Sequence, residues 1–107
     1  MRRYCLAYDA KDAEDWDPDE LRVKIAELLI AAGALNLKSP VASTILFEDE
    51  HASSRMAYWN SKINHALRDD IYYYLCLVAI TTTNAFIDRN EGDTGLEIHF
   101  QELIDEL

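Results

Sequence analysis

The run Ile71-Tyr72-Tyr73-Tyr74-Leu75-Cys76-Leu77-Val78-Ala79-Ile80 decides how this chain folds. It follows the pair Asp69-Asp70, which breaks a helical pattern, and it closes at Thr81-Thr82-Thr83. Its apolar, aromatic and β-branched content predicts a buried central strand. Near the other end of the chain, Arg3-Tyr4-Cys5-Leu6-Ala7-Tyr8 is also rich in strand-favouring residues and is ended by Asp9. These two most apolar strands are expected side by side in the middle of one sheet.

The segments between them supply the remaining elements. Asp17 as N-cap, Pro18 at the first helical position and Glu20 at the third open a helix. Leu21, Ile25, Leu28, Leu29 and Ala32 give it an apolar face, and Gly33 stops it. Residues 34–38 and 42–48 read as two short strands joined through Ser39-Pro40-Val41. A second helix is expected from Ser53 or Ser54, with Met56, Trp59, Ile63, Ala66 and Leu67 on its apolar face. After the threonines, Ala85-Phe86-Ile87 suits a short helical turn. Leu96, Ile98 and Phe100 alternate like an edge strand, while Phe100, Leu103, Ile104 and Leu107 suit a final helical turn or two. The order β-α-β-β-α-β predicts an α+β domain with two helices on one face of an antiparallel sheet, the ferredoxin-like arrangement. One domain spans residues 1–107, with a core at 3–80 and an acidic strand or helix appendage at 84–107.

Composition narrows the class. The chain has 107 residues, 50% of them hydrophobic, with 20 acids against 10 Lys and Arg and a formal charge of −10. That apolar share is too high for a disordered acidic tail. No apolar run approaches the roughly 18 residues of a membrane span, so no membrane partner is expected. The N-terminus reaches Asp9 too soon for a secretory signal, and two cysteines make no disulfide scaffold, so the expected location is cytoplasmic. The charge is unevenly spread: residues 9–20 and residues 88–107 each carry −6, and the rest of the chain carries +2.

Two helices on a four-stranded sheet leave one face without helices. With Tyr4, Leu6 and Tyr8 on one strand and Tyr72 and Tyr74 on the other, that face is expected to be apolar and tyrosine-rich, and to seal against a second copy or under residues 84–107. A base-stacking role is the rival reading, but the sequence lacks the Lys/Arg-Gly-Phe-type run of RNA-binding sheets. Trp16, alone among acids, either staples the helix start or anchors a partner. Cys5 and Cys76 are expected as small buried side chains on neighbouring strands.

Asp9 is the first candidate for chemistry. A carboxylate at the end of a rigid strand is either a solvated turn residue or a Mg²⁺ ligand, with a symmetry mate supplying the second carboxylate. Tyr8-Asp9 after the first strand, Ser43-Thr44-Ile45-Leu46-Phe47 closing the hairpin, Ala52-Ser53 opening the next helix, and Asp-Asp before the apolar strand together resemble one group of proteins. It comprises the small ferredoxin-like proteins related to the dimeric CRISPR-adaptation subunit and the SinR-like and VapD-like proteins, over residues 3–80. The resemblance implies a homodimer associated with nucleic acid and, in some members, a metal-dependent nuclease role for the carboxylate here numbered Asp9. The long acidic loop and the absence of a basic track depart from that pattern and point to weak or lost activity.

Other motifs fail on spacing. An EF-hand loop begun at Asp15 needs Gly at position 20 and Glu at 26, where the chain has Glu20 and Ala26. His51, His65 and His99 have no zinc spacing. No phosphate-cradling glycine loop or nucleophile elbow occurs. The acidity supports an alternative from another class, a non-enzymatic binder such as an antitoxin, immunity protein or nucleic-acid mimic that takes a basic protein partner.

Overall fold

A computed structural model describes residues 1–78 and 92–107. Along the chain these form β1 (Arg2–Ala10), a 3₁₀ turn (Ala13–Asp15), α1 (Pro18–Ala31), β2 (Leu35–Lys38), β3 (Thr44–Asp49), α2 (Met56–Leu67), β4 (Ile71–Val78) and α3 (Thr94–Asp105). The four strands make one antiparallel sheet in the order β2-β3-β1-β4. The expected elements are therefore present as an α+β domain, but β4 is not central. It pairs with β1 as expected, yet among the described residues it lies at the sheet edge, and β3 takes the other side of β1. Tyr72 and Tyr74 are accordingly 65% and 79% exposed.

Local chemistry explains most boundaries. Asp17 Oδ1 accepts a hydrogen bond from the Asp19 N–H at 2.8 Å, with Pro18 behind it, so α1 starts where its cap predicts. Gly33, at φ +104°, ends it in a conformation that side chains with a Cβ resist. Leu21, Ile25, Ala26 and Leu29 form the buried face, with Leu28 and Ala32 packed at its margin. The turn before β3 is organised by Ser39, whose buried hydroxyl lies 3.1 Å from Val41 O and 2.9 Å from Thr44 O.

Two boundaries differ from expectation. First, α2 starts at Met56 rather than at Ser53 or Ser54, because Arg55 is already committed. Its backbone N–H donates to the Tyr4 hydroxyl at 2.8 Å, and its guanidinium donates to Asp49 at 2.8 and 3.1 Å. Second, the edge strand suggested at Leu96, Ile98 and Phe100 is part of α3, opened by Asp93 Oδ1 accepting from the Leu96 N–H at 3.0 Å. Phe100 is fully buried, and Gln101 Nε2 donates to Leu37 O at 2.7 Å, so α3 packs with α1 and β2. The expected turn at residues 85–87, the end of the apolar run at 79–80 and the threonines at 81–83 lie outside the described residues.

The core gathers Tyr4, Leu6 and Tyr8 of β1, Ile45 and Phe47 of β3, and the apolar faces of α1 and α2. Alternation along β3 puts Asp49 on this same inward face, 2% exposed. There it accepts from Arg55, from the Trp59 indole N–H at 2.8 Å and from the His51 N–H at 3.1 Å. Tyr4, Phe47 and Trp59 pack around it, with ring centroids 4.8 to 6.1 Å apart. Burial pushes the Asp49 carboxyl up, but the Arg55, His51 and Trp59 donors outweigh burial and hold it at about 2.

Asp49→Ala leaves three kinds of buried or half-buried donor without an acceptor and is expected to cost about 3 kcal/mol in urea unfolding at neutral pH. Because the folded carboxyl titrates below its ordinary 3.8, its contribution is fully present above that value and is lost as pH falls through about 2. Acid titration of the wild type should therefore lose about 2 kcal/mol over that window, and Asp49→Ala should not show this loss.

Candidate functional site at the end of β1

The β1–β4 register decides which side chains share the open face. Tyr8 faces Tyr73, Leu6 faces Leu75 and Tyr4 faces Leu77, all on the helix side of the sheet. Asp9 faces Tyr72, Ala7 faces Tyr74 and Cys5 faces Cys76 on the other side. Each β1 residue thus pairs with a β4 residue of opposite parity. Tyr4, Leu6 and Tyr8 consequently do not join Tyr72 and Tyr74 on an exposed surface; they are core residues at 0%, 0% and 8% exposure. Among the described residues the open face combines Cys5, Ala7 and Asp9 with Thr44 and Leu46 of β3 and Tyr72, Tyr74, Cys76 and Val78 of β4. Of the six residues expected at an interface, Tyr72 and Tyr74 are there.

Asp9 lies within β1, one residue before its end, and is exposed. It stands between two hollows. One is a tyrosine shelf lined by Ala7, Asp9, Tyr72 and Tyr74, with Lys11 Nζ 5.3 Å above the Tyr72 ring. The other is a smaller cleft where Tyr8, Asp9, Trp16, Leu21, Arg22 and Ser43 meet. Trp16 is half-buried against the core, with Lys24 Nζ 5.1 Å from its ring, so it staples the start of α1. Tyr73 is turned away from the shelf and donates to Asn60 Oδ1 at 2.6 Å.

The donor set bears on metal chemistry. Among the described residues no three His, Cys, Asp or Glu side chains are grouped to hold an ion. Asp9 alone supplies one carboxylate, so Mg²⁺ fits here only if a second oxygen donor comes from another copy or from a substrate phosphate. His51, His65 and His99 are dispersed over the loop before α2, α2 itself and α3.

His99 has a different role. Its Nε2 lies 2.7 Å from Asp19 Oδ2, which joins α3 to the first turn of α1. Asp19 also accepts from Arg22 at 3.0 Å. The Asp19 hydrogen bond raises the His99 pKa, and the His99 hydrogen bond is the main cause of the lowered Asp19 carboxyl. This contact joins the acidic 9–20 segment to α3, which itself carries Glu97, Glu102 and Asp105.

The residues that sequence reasoning passed over are Asp49 and Arg55; Trp59 is expected on the apolar face of the second helix, but not as a partner of Asp49. Part of the signal is available, once β3 is carried through Asp49. Ile45, Phe47 and Asp49 share one strand face, and Arg55 and Trp59 are one helical turn apart. No protein-family model, curated protein or solved structure matches the chain.

The His99–Asp19 link has a readable pH dependence. The raised His99 contributes stability below its ordinary 6.5 and loses it as pH rises through the elevated value, whereas Asp19 needs pH above its ordinary 3.8. Amide exchange in α3, corrected for intrinsic rates, should be slowest between those limits and quicken above them, and His99→Gln should abolish the alkaline change.

Proposed function

We propose that this chain is a ferredoxin-like homodimer of nucleic-acid metabolism or defence, closed over the open sheet face, with Asp9 of both copies forming a shared Mg²⁺ site of weak or lost nuclease activity. The observation that carries the proposal is the position of Asp9, exposed and in register with Tyr72 on a face that none of the described helices covers. The β-α-β-β-α-β order, the β2-β3-β1-β4 sheet and the side-by-side packing of α1 and α2 support the ferredoxin-like assignment. Tyr72 and Tyr74 beside Leu46 and Val78 favour self-association, because large aromatic side chains are costly to leave in water and supply most of an interface's energy. In the dimer a cation between two Asp9 carboxylates would polarise a phosphate and lower the pKa of a bound water. Asp9 would hold the ion, and Tyr72 and Tyr74 would be buried between the two copies.

Contact between the two acidic segments favours a second reading. The His99–Asp19 contact brings the start of α1, after the acidic loop, next to α3 with its Glu97, Glu102 and Asp105, and an acidic surface there would suit a basic protein partner. On this reading the protein is a binder, that surface recognises the partner, and Asp9 performs no chemistry.

Light scattering should give twice the chain mass for the wild type, and Tyr74→Arg should return it to monomer with an unchanged far-UV spectrum. Cleavage of RNA or DNA that requires Mg²⁺ should fall by at least about a hundredfold in Asp9→Ala. Cleavage unaltered by that substitution removes Asp9 from the mechanism. Salt-sensitive capture of a basic protein, lost on neutralising Asp12, Glu14, Asp15 and Asp19, would favour the binder instead.

A further inference from the structure

Cys5 and Cys76 are direct cross-strand partners on the open face, and both are free thiols. Their backbone relationship follows from the ladder. The Lys11 N–H donates to Asp70 O at 2.8 Å, and these residues continue the β1–β4 register. Alternation in an antiparallel pair then makes 9–72, 7–74 and 5–76 the hydrogen-bonded positions, where Cα atoms are about 5.5 Å apart. That separation falls inside the range that disulfides occupy, roughly 4.4 to 6.8 Å. The Cβ atoms at such positions stand up to about 5.5 Å apart, whereas a disulfide needs them within roughly 4.5 Å. A bond here would need a small inward pull on both strands, which would leave it strained and easily reduced.

The two thiols are not equivalent. Cys76 is exposed on an edge strand, open to a small reagent from the solvent side. Cys5 is half-buried on a central strand, where burial first and the neighbouring Cys76 second push its thiol up. Exchange needs an accessible thiol for the first attack and a second within reach to resolve the mixed disulfide; Cys76 supplies the first and Cys5, slowed by its raised pKa, the second.

We infer that Cys5 and Cys76 form a reversible intrachain disulfide on reaction with a low-molecular-weight disulfide, which makes the open face a site of redox modification. The Cys76 thiolate attacks one sulfur of the reagent, its S–S bond breaks, and one thiolate leaves and takes up a proton. The Cys5 thiolate then attacks the Cys76 sulfur of the mixed disulfide and expels the second thiol. Two protein thiols are oxidised while one reagent disulfide is reduced to two thiols. The inference concerns the protomer with its open face uncovered; the proposed dimer would close over Cys76, so the reaction proceeds through the dissociated chain.

The test is intact-mass spectrometry of the native chain after incubation with glutathione disulfide, with oligomeric state followed separately by light scattering. The wild type should lose two hydrogen atoms, carry no lasting glutathione and recover its mass on mild reduction with dithiothreitol. Cys5→Ser should instead keep a glutathione adduct on Cys76 for at least about tenfold longer than any adduct persists on the wild type. An unchanged wild-type mass, a lasting wild-type adduct, a disulfide between chains, or a Cys5→Ser adduct as short-lived as the wild type's would each overturn the inference. None of these outcomes depends on whether Asp9 binds metal.

Discussion

A single buried carboxylate fixes the geometry on which the other features depend. Asp49 ends β3 on the core side of the sheet, and a lone charge there would be prohibitive. It is tolerated because the Arg55 guanidinium, the Trp59 indole and the His51 backbone all donate to it. Those bonds reach from the end of β3 to the start of α2, so they set where the helix begins and which face it turns to the sheet. The Arg55 N–H, bonded to the Tyr4 hydroxyl, ties the same corner to β1. With α2 fixed there, Trp59 fills the space between Tyr4 and Phe47, and the inward faces of both inner strands are committed.

That commitment determines what is left outside. Once Tyr4, Leu6 and Tyr8 lie under the helices, strand alternation sends Cys5, Ala7 and Asp9 to the opposite face, and the β4 register adds Tyr72, Tyr74 and Cys76. A shift of one residue would exchange the two sets, burying Asp9 and exposing the core tyrosines. The candidate metal ligand, the tyrosine shelf and the thiol pair are thus consequences of one register. The acidic surface arises separately, where α3 docks on α1 through Phe100 and His99 rather than adding a strand to the sheet.

The sequence made the elements legible wherever the signal was local. The Asp17-Pro18 cap, Gly33 and the spacing of Trp59, Ile63 and Leu67 each point to a structure that their own neighbours decide. What it concealed was relational. The run from Ile71 reads as a central strand because of its apolar content, but β3 occupies the other side of β1 and the run lies at the edge of the described sheet, with Tyr72 and Tyr74 exposed. Composition cannot separate a strand covered by helices from one left open. The grouping of Tyr4 with Tyr72 failed for a related reason: a strand's own alternation is visible, but the parity of its pairing is not. Asp49 was hidden among Glu48, Asp49 and Glu50, where three successive acids look like a solvated turn. Only the strand continuing through Asp49 turns the middle one inward.

What unites these features functionally is the proposal that two copies close over the open face and share a cation between their Asp9 carboxylates. Manganese binding followed by electron paramagnetic resonance tests it most directly, since bound and free ion are distinguished at once. The expected result is one Mn²⁺ for every two chains, with binding lost in Asp9→Asn. One ion per chain, or a stoichiometry that Asp9→Asn leaves unchanged, would contradict it.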